Sequence, residues 1–586
     1  MTDYNEIFYK LCQYIISWIF KVTVSIYFKE IKIGGTHNIP KTGPVIYVIG
    51  PHSNQFIDPV LIIQSCQREV SFLCAEKSIH EPGVGLFLRM FRPIRVNRPQ
   101  DNAVSGEGRL KSMDSCQITG INTKFTKQLN TNDYISFPKG YGEFKVVNII
   151  SDTECIVDLD TESSDPKKLS TLFKDSNSRV AYRCMPHIEQ EAVYKKVHAE
   201  LNQNGAIGIF PEGGSHDRTQ LLPLKGGVTV MAMGAMAKYK DLDVKIVPCG
   251  ISYSQAHQFR SRVGIEFGDP ITISRGMIED FKAGGEAKRK SCATLLDFIQ
   301  EGLKAVTVNV KNYETLKFIK ATRRIYSLSQ KKLDIFEQKQ IDRRLSIGYN
   351  QFQNHSKVVD IHRRIIAHQH ILKYYHIKDY QIPQTIYRGS TDCLKIVVNS
   401  TCFLLLLLLS APGIILNIPV AMAVDYISGT KAKSALKKST VKIYGRDVIS
   451  TWKIISSYIL LPISYAFYTF AVSMHLKDKD IVFKYRMLAP IAVWCLLPYI
   501  SFLSVLLYEK SQDFKRSITP LFLAIFDQKT AKILRENHHK LFNEVTEVVN
   551  EYKTQVFPDI YNNGKGISFN VYILNLPSFT KYSSGF

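Results

Sequence analysis

The sequence predicts an α/β layered unit split by a β-rich insertion, followed by a helical region and C-terminal transmembrane helices. Three observations carry this. Apolar strand-like runs alternate with helical patterns up to about residue 310. A block of short β-rich runs, rich in turn residues, interrupts that alternation. Beyond residue 395, three apolar runs are long enough to cross a bilayer.

Taken in order, residues 1–30 read as an interfacial membrane helix. The Tyr/Phe/Ile-rich stretch 8–28 is interrupted by Lys10 and Lys21, and its uncharged run from Leu11 to Phe20 is too short to span. A buried core helix is the alternative. Acidic residues ahead of the stretch and the lack of a small-residue cleavage site argue against a cleaved signal peptide. The strands Val45 to Ile49, Val70 to Cys74, Ile94 to Val96, Ala206 to Phe210 and Val244 to Val247 assign 31–112 and 182–310 to the α/β unit. Between them, at 113–181, runs such as Gln117 to Gly120, Lys145 to Val147 and Glu154 to Val157 suggest a small SH3-like β-barrel. Residues 311–394 show charged amphipathic helical patterns, read as solvated faces.

The region 395–510 holds the membrane segments, uncharged over 396–424, 454–474 and 487–508. Pro412, Gly413 and Pro419 break the first, which either spans once or enters and returns as a hairpin. The loop after it carries Lys431, Lys433, Lys437, Lys438, Lys442 and Arg446, and the positive-inside rule places such a loop in the cytosol. With a hairpin, the catalytic region, this loop and the tail 511–586 share the cytosolic side.

A formal charge of +23 restricts the partners. No zinc-finger spacing, RNA-binding signature or basic low-complexity arm accompanies it, so nucleic acid is not expected. Anionic membrane lipids and phosphorylated substrates fit the charge better. Eleven cysteines without a C-x-x-C pair indicate neither a zinc site nor a disulfide framework.

Two separated motifs carry the chemistry. In Pro51-His52-Ser53-Asn54-Gln55-Phe56-Ile57-Asp58-Pro59, a base and a carboxylate follow the first strand. A hydroxyl becomes a competent nucleophile when a positioned base takes its proton, and His52 can do so if Asp58 holds its other ring nitrogen. Six residues of pure helix would turn Asp58 about 240° away from His52. Part of the segment must therefore be non-helical. In Phe210-Pro211-Glu212-Gly213-Gly214, an acid and a glycine turn follow another strand. A His and an Asp at this spacing, taken alone, also suit a surface His beside a capping Asp.

The company of these motifs decides the matter. Four blocks in order resemble the glycerolipid acyltransferase family, and the wording is most like its fungal-type glycerol-3-phosphate/dihydroxyacetone-phosphate subgroup. They are His52 to Asp58, Ile94 to Pro99, Phe210 to Gly227, and Ile246 to Gly250, within roughly residues 30–330. Most of the family separates the His and Asp by four residues; the five here are shared with the subgroup. Most relatives also carry an arginine where this chain has Ser215, with Arg218 three residues on.

The resemblance implies an α/β acyltransferase domain and acyl-CoA-dependent acylation of the sn-1 hydroxyl of glycerol 3-phosphate, and possibly of dihydroxyacetone phosphate. His52 and Asp58 would be catalytic, with no nucleophilic Ser or Cys, no metal and no cofactor; acyl-CoA is the co-substrate. The acceptor phosphate is best gripped by guanidinium, so Arg98 and Arg218 are expected to bind it. Glu212 would bond the acceptor hydroxyls beside Gly213 and Gly214, where backbone can approach closely. Lys225, Arg260 and Arg262 would bind the acceptor phosphate or the phosphates of coenzyme A, or face lipid headgroups. The endoplasmic reticulum membrane is the expected location, with the catalytic domain cytosolic. The partner of the insertion is unknown. Alternatives are a lysophosphatidate acyltransferase with the same machinery, or an inactive membrane scaffold.

Overall fold

The structure, a computed structural model, describes residues 2–80, 84–89, 93–114, 116–137, 141–158, 173, 179–188, 190–327, 333–439, 441–477 and 483–556. A helix, Thr2–Tyr27, runs directly into β1 (Phe28–Gly34). Next come β2 (Val45–Gly50), β3 (Val70–Ala75) and β4 (Ile94–Val96), then the insertion strands. These are β5 (Val104–Ser105), β6 (Arg109–Asp114), β7 (Gln117–Ile121), β8 (Tyr134–Ser136), β9 (Glu143–Ile149), β10 (Glu154–Asp158) and β11 (Arg183–Met185). The main unit resumes with β12 (Ala206–Ile209), β13 (Lys245–Tyr253), β14 (Ser261–Phe267) and β15 (Ile271–Thr272).

The main sheet runs β1-β14-β13-β2-β12-β3-β4, with β15 added on β13. Strands β13, β2, β12, β3 and β4 are mutually parallel, and β14 is antiparallel to β13. Every residue of β2 is buried, the continuous apolar run expected of a strand covered on both faces. The two-residue period sends Val45, Tyr47 and Ile49 to one layer and Ile46 and Val48 to the other. The first layer holds the helix Ile57–Cys66 and the end of the N-terminal helix. The second holds the helices Glu191–Asn202, Gly227–Lys238 and Gly285–Ala305. Parallelism brings the carboxyl ends of β2, β3, β4, β12 and β13 to one edge, where α/β sheets bind ligands.

The insertion is an antiparallel sheet ordered β5-β11-β8-β9-β10-β7-β6 around its own core, which includes Phe125, Phe144 and Val146. It is wider than the expected 113–181, because β5 and β11 pair at its root. A single bridge, Leu110 to Val180, links β6 back to the chain entering β11. Parts of the predicted insertion, 159–172 and 174–178, lie outside the described residues, as do 557–586 of the tail.

Among the described residues, three helices are long and apolar enough to cross a membrane: Ser390–Lys438, Ile449–Lys477 and Phe483–Phe526. The first is one continuous helix through Pro412 and Pro419, with no intervening turn. Both its flanks nonetheless touch the polar body. Ahead of it, Thr385 bonds Arg535; behind it, Ile443 and Tyr444 bond Asp217. Residues 511–526 continue the third apolar helix, and the helix Gln528–Val556 folds back to pack Leu541 and Val545 on Phe318, Ile319, Ile361 and Ile365. Most of the predicted tail is thus part of the helical region.

Candidate active site

His52 and Asp58 meet. Residues 52–56 are non-helical and the helix starts at Ile57, so the chain turns the two side chains together. His52 Nδ1 lies 2.9 Å from Asp58 Oδ2. A buried carboxylate accepts, so Nδ1 carries the proton and Nε2 is left as the base. Asp58 is itself fixed: Oδ2 also accepts from the Asn54 backbone N–H at 2.9 Å, and Oδ1 accepts from the Tyr253 hydroxyl. Burial, with the adjacent Asp58 carboxylate, pushes the Tyr253 phenol well above its ordinary range and keeps it a donor. Phe210 stacks on the imidazole, with ring centroids 3.8 Å apart.

Glu212 lies beside this pair because β12 pairs with β2, Ile209 opposite Val48. Its contacts in the structure are internal ones, whereas the sequence reading expected it to bond acceptor hydroxyls. Its Oε1 accepts from the His52 backbone N–H at 2.9 Å. Its Oε2 accepts from His216 Nε2 at 2.6 Å and from the Leu222 N–H at 2.7 Å. His216 N–H in turn donates to the His52 carbonyl at 2.9 Å. The buried carboxylate therefore ties the two motifs to each other.

Arg98, after β4, and Lys225 converge on the glycine turn. Arg98 donates to Asp101 through Nε at 2.7 Å and Nη2 at 2.9 Å, and its Nη1 is 3.3 Å from the Gly213 carbonyl. Gly213 has φ of 78°, and a Cβ there would lie 2.6 Å from Lys225 Cε. Gly214 has open space where its side chain would be. Across from Lys225 stands Glu143 of the insertion; burial raises its carboxyl and Lys225 opposes that shift.

The other arginines are committed elsewhere. Arg218 Nε donates to the Val441 carbonyl at 2.7 Å, so this guanidinium holds the loop between the first two apolar helices. Arg260 forms a two-pronged pair with Glu509 of the third apolar helix, at 3.1 Å for each contact, and Arg262 pairs with Glu30 at 3.3 Å. Each of the three thus has an acceptor from a distant segment, and none of them is brought beside Gly213.

Several residues escaped the sequence reading. Asp217 caps the interhelical loop, its Oδ1 accepting from Ile443 N–H and its Oδ2 from Tyr444 N–H, both at 2.7 Å. Lys442 donates to Ser215 and pairs with the buried Asp447. His216 and Asp217 stood inside a recognised block without a role; Tyr253 gave no sequence signal beyond its place at the end of a strand.

A family model described as acyltransferase matches residues 169–252. Another, described as the glycerol-3-phosphate acyltransferase 2 C-terminal domain, matches residues 318–557. An uncharacterized acyltransferase of Schizosaccharomyces pombe is 35% identical, over 92% of this chain and 81% of that protein. Glycerol-3-phosphate O-acyltransferase 1 of Saccharomyces cerevisiae is 34% identical, over 94% of this chain and 72% of its own length. Glycerol-3-phosphate O-acyltransferase 2 of the same yeast is 30% identical, over 95% and 79%.

Proposed function

The chain belongs to the glycerol-3-phosphate O-acyltransferase family, and from that premise we propose how its site transfers an acyl group from acyl-CoA to the sn-1 hydroxyl of glycerol 3-phosphate. His52 Nε2 takes the hydroxyl proton as the oxygen attacks the thioester carbonyl. Asp58 stabilises the imidazolium that forms. The tetrahedral intermediate expels the thiolate, which receives the proton from His52, leaving lysophosphatidate and coenzyme A. The thioester is already activated, so the chemistry calls for no metal or cofactor. Lys225 and Arg98 beside Gly213 are the residues that would hold the acceptor phosphate. Dihydroxyacetone phosphate offers the same hydroxyl and phosphate and is a second acceptor of this reading.

The 2.9 Å contact between His52 Nδ1 and Asp58 Oδ2 carries the proposal. Three long apolar helices support membrane attachment. We place the catalytic unit on the cytosolic face of the endoplasmic reticulum, supported by the basic interhelical loop lying against Ser215 to Arg218. The N-terminal helix, exposing Tyr14 and Trp18, would rest in the headgroup region with anionic lipids. The insertion, compared with an SH3-like barrel, would be a partner-binding or passive module.

Membranes carrying the protein, offered labelled acyl-CoA with glycerol 3-phosphate, dihydroxyacetone phosphate or lysophosphatidate, should label the first strongly. His52→Ala should lower the rate at least about a thousandfold at equal abundance. Full activity in that variant removes His52 from the mechanism, and product from lysophosphatidate alone reassigns the acceptor.

A further inference from the structure

The helical region that follows the α/β unit contains a second cluster of chemistry-bearing groups. His368 lies on the helix Ser356–Tyr374, Asp379 opens the short helix Asp379–Thr385, and His538 lies on the helix Gln528–Val556. One potential ligand atom from each lies within 4.8 Å of the others. All three are buried, with exposures of 3%, 2% and 6%. From this geometry we propose that His368, Asp379 and His538 form a structural site for a divalent first-row transition ion of the zinc type, stapling the C-terminal helix to the helical region. This inference is independent of the acyl-transfer reading.

The distances support it. His538 Nδ1 and His368 Nε2 stand 3.2 Å apart. Two nitrogens bound to zinc at about 2.0–2.1 Å with tetrahedral angles are about 3.3 Å apart, so the pair already has the spacing of two ligands on one ion. An N–H···N hydrogen bond is the competing account of that contact. That bond and a shared ion alike leave His368 Nδ1 and His538 Nε2 without partners among the described residues, so the two accounts are separated by metal binding itself.

The carboxylate is oriented as ligands usually are by an outer shell. Asp379 Oδ2 accepts from Arg324 Nε at 2.7 Å, and Oδ1 accepts from Gln369 Nε2 at 2.7 Å. Gln369 Oε1 accepts from Arg324 Nη2 at 2.9 Å, closing that support. Each carboxylate oxygen keeps a second lone pair for an ion. Two imidazoles and one carboxylate, without thiolate, suit zinc and its neighbours in the series.

The test uses the purified full-length protein in detergent, stripped with a chelator and dialysed against zinc. Expected is about one zinc per chain by mass spectrometry, a rise in unfolding temperature on zinc addition, and visible absorption bands of tetrahedral cobalt when cobalt replaces zinc. His538→Ala and His368→Ala should weaken zinc binding at least about a hundredfold, whereas His52→Ala should leave the stoichiometry unchanged. The stripped wild-type protein keeps the question decidable if the alanine variants fail to fold. Failure of the wild type to retain zinc or cobalt, or zinc retained at unchanged affinity in His538→Ala, overturns the site and leaves a hydrogen-bonded histidine pair.

Discussion

Tyr253 donates its phenol to Asp58 Oδ1, while His52 and the Asn54 N–H occupy Oδ2. Asp58→Asn would replace an acceptor with a donor-bearing amide, favouring the wrong histidine tautomer. It should cost on the order of a hundredfold to ten-thousandfold in kcat while the protein still assembles. Tyr253→Phe removes only one support, and about a tenfold loss in kcat with little change in KM is expected from a single hydrogen bond to a charged group. Gly213 tests the acceptor side. Its φ of 78° and the Lys225 stem over it mean that Gly213→Ala must strain the backbone or displace the lysine. A raised KM for glycerol 3-phosphate with a smaller change in kcat is the expected signature, and an unchanged KM would separate Lys225 from the phosphate.

At the scale of elements, the active-site loop and the membrane helices are one construction. Asp217, Arg218 and Ser215 grip residues 441–444, which connect the first two apolar helices. Asp217→Ala frees two backbone N–H donors and slackens the loop that carries Glu212 and His216. Hydrogen bonds to a charged group are worth about 1.5–3 kcal/mol each, net of the exchange with water. Activity should fall while membrane insertion persists, read as acyl transfer per inserted molecule. Undiminished transfer would show that the apolar helices anchor the enzyme without shaping its site.

Across the whole molecule, the apolar helices expose Leu404, Leu408, Phe467, Phe470 and Tyr499, surface that lipid would cover. Where they touch, small residues allow close approach: a Cβ on Gly413 would lie 2.2 Å from Ser504 Oγ, and Asn417 bonds Ser501 at 2.8 Å. Gly413→Leu should therefore destabilise the bundle by about 1–3 kcal/mol, seen as a lower unfolding temperature in detergent.

The chain by itself determined the elements whose signal is local. Apolar runs marked the strands at the heart of the sheet and the three long helices, because burial and bilayer thickness act on consecutive residues. The same locality placed His52 and Asp58, which lie six positions apart and needed only a non-helical turn. What the tertiary structure decided was the partner of each charged group. Strand β1 hid in a Lys- and Glu-containing run because its burial depends on β14. Glu212, Arg218 and Arg260 resembled ligand-binding groups in sequence, and the structure gives them the His52 N–H, the Val441 carbonyl and Glu509 as partners, from segments brought near only by folding. A buried or half-buried charge takes the best geometry within a few ångströms, and sequence separation does not measure that distance.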